Sequence, residues 1–112
     1  MKNAPPSFRY RKRYIVFKFI SPEWVDKKDV ARALWRNFLT LYGDTGAAES
    51  QMWLEYFDGT YGIVKCAHTF TEKVKITLST LHKISGMDVL PVILGVTGTL
   101  KKAKKYMETN GG

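Results

Sequence analysis

The chain has 112 residues, 18 Lys and Arg against 10 Asp and Glu for a formal net charge of +8, and 45% apolar content. That suffices for one domain with a real hydrophobic core and argues against a disordered tail, while the longest apolar runs, Tyr14 to Phe17 and Val89 to Leu94, are far too short to cross a bilayer. A charged N-terminus with no apolar signal core behind it, and a single cysteine, Cys66, with no second Cys for a disulfide or metal pair, fit a soluble chain in the reducing cytoplasm.

Residues 1–12 read as a basic arm, 13–106 as one domain and 107–112 as a tail. Arg13 to Ile20 is an aromatic and β-branched strand, with Ile15, Phe17 and Phe19 as its core face and Tyr14, Val16 and Lys18 on the other. From Asp26, a candidate N-cap, the period changes: Val30, Leu34, Phe38 and Leu41 stand at helical spacing and Gly43 ends the run. Gly43 to Ala48 reads as a small-residue loop, Glu49 to Phe57 as a strand, Asp58-Gly59 as a hairpin turn and Thr60 to His68 as the antiparallel partner.

A capping-box pattern, Thr69-x-x-Glu72, opens a second helix with Val74, Leu78 and Leu81 on one face and a stop near Gly86. Val89 to Val96 makes a fourth strand, in which Pro91, lacking an N–H donor, predicts an edge or a bulge. Thr99 to Tyr106 closes the chain as a short basic helix. The order β-α-β-β-α-β, with right-handed crossovers, predicts an α+β fold. It is a ferredoxin-like, RNA-recognition-like sandwich with an antiparallel sheet, two amphipathic helices on one sheet face, and an additional C-terminal basic helix.

The positive charge is not spread evenly. Lys2, Arg9, Arg11, Lys12, Arg13 and Lys18 crowd residues 1–18, and Lys101, Lys102, Lys104 and Lys105 crowd 101–105, whereas residues 19–100 hold eight basic residues against nine acidic ones. Two basic arms on a near-neutral body suit a polyphosphate partner, RNA above all. In Gly95-Val96-Thr97-Gly98-Thr99-Leu100-Lys101-Lys102 a strand ends in a turn that opens a helix. There Thr97 or Thr99 is a candidate cap, Gly98 admits a phosphate to the backbone, and the lysines supply charge. A capped surface helix with solvated lysines is the plainer reading of that segment, and the matching arm at residues 9–13 favours the phosphate site. Candidate RNA contacts are therefore Arg9, Arg11, Lys12, Arg13, Thr97, Gly98, Thr99, Lys101, Lys102, Lys104 and Lys105.

RNA-recognition domains stack bases on aromatics of their first and third strands. Here Tyr14 and Tyr61-Gly62 suit that signature, but Ile63 and Cys66 stand where aromatics are expected. A face formed by Tyr14, Val16, Trp53, Tyr61 and Ile63 is too apolar for water, so it is read as a stacking or partner face covered by a tail helix or another protein. Under such a cover the tyrosines pack as ordinary core residues. No catalytic residues are expected: His68 and His82 fall on different elements without a Ser or Cys nucleophile, and Asp26, Asp29 and Asp58 suit helix starts and a turn. No metal-ligand spacing is present in the sequence. Acylphosphatases share the strand order, but Ser21-Pro22-Glu23 occupies the place of their glycine-rich, arginine-bearing anion loop.

Several linked segments, Arg13-Tyr14-Ile15-x-Phe17, Gly46-Ala47-Ala48-Glu49, Trp53-Leu54, Phe57-Asp58-Gly59, Gly62-Ile63-Val64-Lys65-Cys66 and Gly95-Val96-Thr97-Gly98-Thr99, resemble the archaeal ribonuclease P protein component 2, or Pop-five, family. The resemblance runs from about Arg11 to Lys105, departing where Thr97 replaces a frequent serine and along the N-terminal arm. It implies a subunit of a ribonucleoprotein endonuclease whose RNA, using Mg²⁺, removes the 5′ leader from precursor tRNA, with no cofactor held by the protein. It further implies ribonuclease P RNA as direct partner and precursor tRNA as an indirect one. A TIM-barrel-like ribonuclease P subunit and self-association within a heterotetramer complete the implied assembly. The competing classes are a general RNA-binding or ribosomal protein on this fold, and a ligand-sensing regulatory domain that dimerises through its sheet.

Overall fold

The structure is a computed structural model that describes residues 11–111. Six strands and three α-helices follow one another as β1 (Lys12–Ile20), α1 (Lys27–Ser50), β2 (Trp53–Phe57), β3 (Tyr61–Ala67), a 3₁₀ turn (His68–Phe70), α2 (Thr71–Ser79), β4 (Lys83–Ile84), β5 (Met87–Asp88), β6 (Leu90–Thr97) and α3 (Leu100–Gly111). β2, β3, β1 and β6 form one antiparallel sheet in that order, the strand order of the ferredoxin-like split βαβ sandwich.

The alternation of β1 is realised on both faces. Ile15, Phe17 and Phe19 are buried in the main core with Val30, Leu34 and Phe38 of α1 and Val74 and Leu78 of α2. Phe17 and Phe19 meet edge to face with ring centroids 5.1 Å apart, a geometry that adds quadrupole attraction to burial. Asn37 ties the helices together by donating from Nδ2 to the Thr77 carbonyl and to Thr80 Oγ1, both at 2.9 Å. Cys66 also lies in this core, where burial pushes its thiol up to about 11, against smaller lowering by the Thr71 hydrogen bond, Arg13 and Lys12.

The first helix differs from its expected extent. Gly43, at φ 79° and ψ 179°, breaks the helical path, and the chain then resumes helix through Ser50. The Gly43–Ala48 loop and the Glu49 start of the following strand are therefore helix, and β2 begins only at Trp53. Gly43 accepts this positive φ without the Cβ penalty of other residues, so it kinks the helix where it was expected to stop it. Beyond the kink Ala47 and Ser50 are buried; Ser50 Oγ donates to the Ala47 carbonyl at 2.8 Å and accepts the Met52 amide at 3.2 Å, closing the helix end. Leu41, assigned to the buried face, is exposed, and Tyr42 packs instead, 4.9 Å from the Phe38 ring. Asp26 precedes the helix in extended conformation without a side-chain cap.

The Asp58-Gly59 turn forms as expected, with Asp58 Oδ1 accepting the amides of Thr60 and Tyr61 at 3.0 and 2.8 Å. The proposed capping box does not form. Residues 68–70 make a 3₁₀ turn, and Thr71 Oγ1 donates to the His68 carbonyl as α2 starts. After α2 comes a small hairpin, β4 with β5, turned through Ser85 and Gly86 at φ 52° and 81°. Pro91 lies on edge strand β6 opposite Phe19, and β6 carries a bulge at Leu94, where Val16 opposes Gly95 but Phe17 opposes Ile93. The edge position is the one of the two expected alternatives that accommodates Pro91, and the bulge lies three residues further along the strand. Among the described residues no helix is long and apolar enough to cross a membrane.

Candidate nucleic-acid interface

The face opposite α1 and α2 is covered by the chain's own C-terminal helix. α3 runs to Gly111, five residues past its expected end at Tyr106, and takes in residues set apart as a tail. Ala103 is wholly buried against Val16 and Ile63, and Leu100, Met107, Tyr14, Tyr56 and Leu94 pack around them. Burying a valine or isoleucine side chain contributes about 1.5–3 kcal/mol, so this apolar strip holds the helix down. The Tyr106 hydroxyl donates to the Leu94 carbonyl at 2.6 Å. Its ring lies directly over Gly95, where an added Cβ would come within 2.8 Å of it. Gly95 is therefore the groove in the sheet that receives the helix.

Val16 and Ile63, offered as part of a stacking face, are fully buried beneath α3 and leave no room for a base. Of that face only its margins remain accessible. Trp53 is 61% exposed, and Tyr14 and Tyr61 are half-buried, Tyr61 beneath the Lys18 ammonium at 5.9 Å from its ring centroid. Tyr56, beside the covered strip, donates to Asp58 Oδ2 at 3.2 Å, and its pKa is raised by desolvation and then by the Asp58 charge.

The two basic segments converge. β1 and β6 are antiparallel and pair Tyr14 with Thr97, so the start of β1, where Lys12 and Arg13 stand, lies next to the turn that leads into α3. Arg11 is exposed, and its carbonyl accepts the His68 amide at 2.9 Å, extending the β1–β3 ladder outward. Lys12 Nζ donates to Gln51 Oε1, and Arg13 Nη1 donates to the Lys12 carbonyl at 2.9 Å. In the turn, Thr99 is the N-cap: its Oγ1 accepts the Lys102 amide at 3.1 Å, and the Ala103 amide reaches the Thr99 carbonyl. Thr97 does not cap; its hydroxyl donates to the Thr99 carbonyl at 2.8 Å and shapes the turn. Gly98 is open, with nothing within 4 Å of an added Cβ. Lys101, Lys102, Lys104 and Lys105 are all exposed along α3. Arg9, the remaining predicted contact, lies outside the described residues.

Cations far apart in sequence thus share one end of the sheet, beside the positive end of a helix that carries no acid in its first turn. What the arrangement can do is bind phosphates at several points. Among the described residues no group of three His, Cys, Asp or Glu side chains gathers as metal ligands. Strand register aligns Trp53, Tyr14 and Thr97, each named from the sequence, in one row across the sheet at this same end, together with Lys65, which sequence reading missed.

Comparison with known proteins agrees with this fold. The chain is 44% identical over 109 residues to ribonuclease P protein component 2 of Archaeoglobus fulgidus, covering 96% of this chain and 99% of that protein. It is 36% identical over 106 residues to the protein of that name from Pyrococcus furiosus, covering 93% and 88%. A chain in the cryo-EM structure of yeast ribonuclease MRP superposes with a TM-score of 0.67 at 15% identity, over 91% of this chain and 92% of that one, which shows a shared fold. The model of the Rpp14/Pop5 family matches residues 13–108, and with the archaeal relatives this establishes that the chain belongs to the Rpp14/Pop5 family.

Proposed function

We propose that this chain is an RNA-binding protein subunit of ribonuclease P, the ribonucleoprotein endonuclease that removes the 5′ leader from precursor tRNA. The observation that carries the reading is the convergence of the Arg11–Arg13 segment, the Thr97–Thr99 turn and the α3 lysines on one end of the sheet. The relatives named ribonuclease P protein component 2 support the particular ribonucleoprotein. In this role the chain performs no chemistry. It neutralises crowded phosphates of the catalytic RNA and so stabilises the folded RNA that binds substrate. The Mg²⁺ of the reaction would be held by the RNA rather than by this chain, and there it would supply activation of the attacking water. Phosphate neutralisation by lysine and arginine lowers the Mg²⁺ concentration that the RNA needs to fold.

The proposed partners are ribonuclease P RNA directly, precursor tRNA indirectly, a TIM-barrel-like protein subunit, and a second copy of this chain within a heterotetramer acting in the cytoplasm. Large apolar side chains left in water support protein contacts: Ile20 and Leu90, with Leu39 and Ile76 on the helices. The test is cleavage of precursor tRNA by an archaeal ribonuclease P RNA across a Mg²⁺ titration. The RNA is assayed alone, with the barrel subunit, and with both proteins. Faster cleavage at low Mg²⁺ only when both proteins are present is the expected result. No effect, with salt-sensitive RNA binding intact, would leave a general RNA-binding protein.

A further inference from the structure

We infer that the exposed edge of the sheet at its basic end is a binding site for unpaired RNA, with Trp53 as its base-stacking platform. In register, Trp53 of β2 stands opposite Lys65 of β3, Lys65 opposite Tyr14 of β1, and Tyr14 opposite Thr97 of β6, so the four residues cross the sheet on the α3 side. The next row, in which Tyr56, Ile63, Val16 and Gly95 are paired in turn, is the one that α3 and Tyr106 cover. Stacking at the middle of the sheet is thereby closed off, and one step towards the basic end Tyr14 packs into the covered cluster while Trp53 at the sheet edge stays exposed.

Trp53 is 61% exposed, although a tryptophan at an edge strand could bury far more of its surface by folding onto the sheet. Beside it, round the sheet edge towards α1, opens a groove of about 540 Å³ whose walls include Lys12, Lys65, Gln51, Met52 and Trp35, the last two from the main-core side. Lys65, partly exposed, lies 3.8 Å from Glu55, which offsets its charge, whereas Lys12 donates to the neutral Gln51 and keeps its charge at the groove. A flat ring beside Lys12 and the basic start of β1 matches a nucleotide, which needs a π-face for its base and positive charge for its phosphate. A duplex buries its base faces in its own stack and cannot use the ring, so the occupant is a single strand, a bulge or a loop.

The other strongly exposed tryptophan, Trp24, is 72% exposed and lacks this setting. It borders a groove of about 440 Å³ at the opposite end of β1, away from Lys12 and Arg13, whose lining includes both Lys18 and Glu23. That difference makes Trp24 an internal control.

The inference rests on the reading of the chain as an RNA-binding subunit, and the test separates the two. The full chain is titrated with a short labelled oligouridylate and with an RNA duplex of the same length, as wild type and as the Trp53→Ala, Trp53→Phe and Trp24→Ala variants. Trp53→Ala should weaken oligouridylate binding about tenfold while leaving duplex affinity unchanged. Trp53→Phe should retain most of the affinity, and Trp24→Ala should match wild type. Quenching of tryptophan fluorescence by oligouridylate should fall sharply in Trp53→Ala only. Equal weakening of both RNAs, or of neither, by Trp53→Ala would overturn the stacking site while leaving phosphate binding in place. Failure of the wild-type chain to bind either RNA would overturn the RNA-binding reading and this site with it.

Discussion

An added Cβ at Gly95 would sit 2.8 Å from Cζ of Tyr106 and 3.0 Å from its hydroxyl oxygen, whereas at Gly98, three residues on, it would meet nothing within 4 Å. The two glycines lie in one segment and answer to different demands. Gly95 admits a ring from α3, and Gly95→Ala must push that ring away and strain its 2.6 Å hydrogen bond to the Leu94 carbonyl. Overpacking of this kind costs about 1–3 kcal/mol, read as a lowered denaturation midpoint together with faster amide exchange in α3. Gly98 faces open space at the start of the same helix, so Gly98→Val should leave stability within about 0.5 kcal/mol of wild type. Its branched side chain would still obstruct a phosphate approaching the turn, and RNA affinity should fall. Parallel losses of stability and affinity at Gly98 would instead make it a structural residue.

At the scale of elements, what was legible in the sequence was whatever depends on near neighbours. The alternation of Ile15, Phe17 and Phe19 and the helical spacing of Val30, Leu34 and Phe38 identified buried faces because one strand or one helix turn suffices to set them. Gly43 misled for the same reason. A glycine after an amphipathic run usually ends a helix, and only the packing of Ala47 and Ser50 against the sheet shows why this chain resumes one. The Ser85-Gly86 hairpin was missed because two-residue strands are too short to show a period. In the interface, the Thr97–Thr99 turn and the α3 lysines were readable, while the burial of Val16 and Ile63 was not, since it depends on where a helix distant in sequence from both comes to rest. Choosing between Thr97 and Thr99 as cap also required the structure. Thr99 accepts the Lys102 amide, so Thr99→Ala should cost about 1 kcal/mol and loosen the first turn of α3. Thr99→Ser, keeping the acceptor, should restore most of it. Urea denaturation of the three proteins, with helical circular dichroism as probe, checks both statements; equal stability of wild type and Thr99→Ala would mean that apolar docking alone holds the helix.

Across the whole molecule, charge and hydrophobicity are assigned to different faces. The helical layer encloses the main core, while α3 closes the other face and carries its lysines outward beside the start of β1. This division makes the electrostatic contribution separable from stability. Lys101, Lys102, Lys104 and Lys105 are exposed, whereas Leu100, Ala103 and Met107 of the same helix dock it on the sheet. Replacing the four lysines by alanine therefore removes charge without removing the docking residues, and alanine is at least as good a helix former as lysine. Each lysine that neutralises a phosphate releases a condensed counterion when RNA binds, contributing a little under one unit to the slope of log K against log salt. If all four contact phosphates, the variant should flatten that slope by about 3 to 4 units, with its denaturation midpoint nearly unchanged. A fall in affinity at one salt concentration would not suffice, because a local distortion of the interface also lowers affinity. The slope counts released ions and is insensitive to such distortion. A slope equal to that of wild type would show that the lysines are solvated in the complex and would leave Arg11, Lys12 and Arg13 to account for the salt dependence.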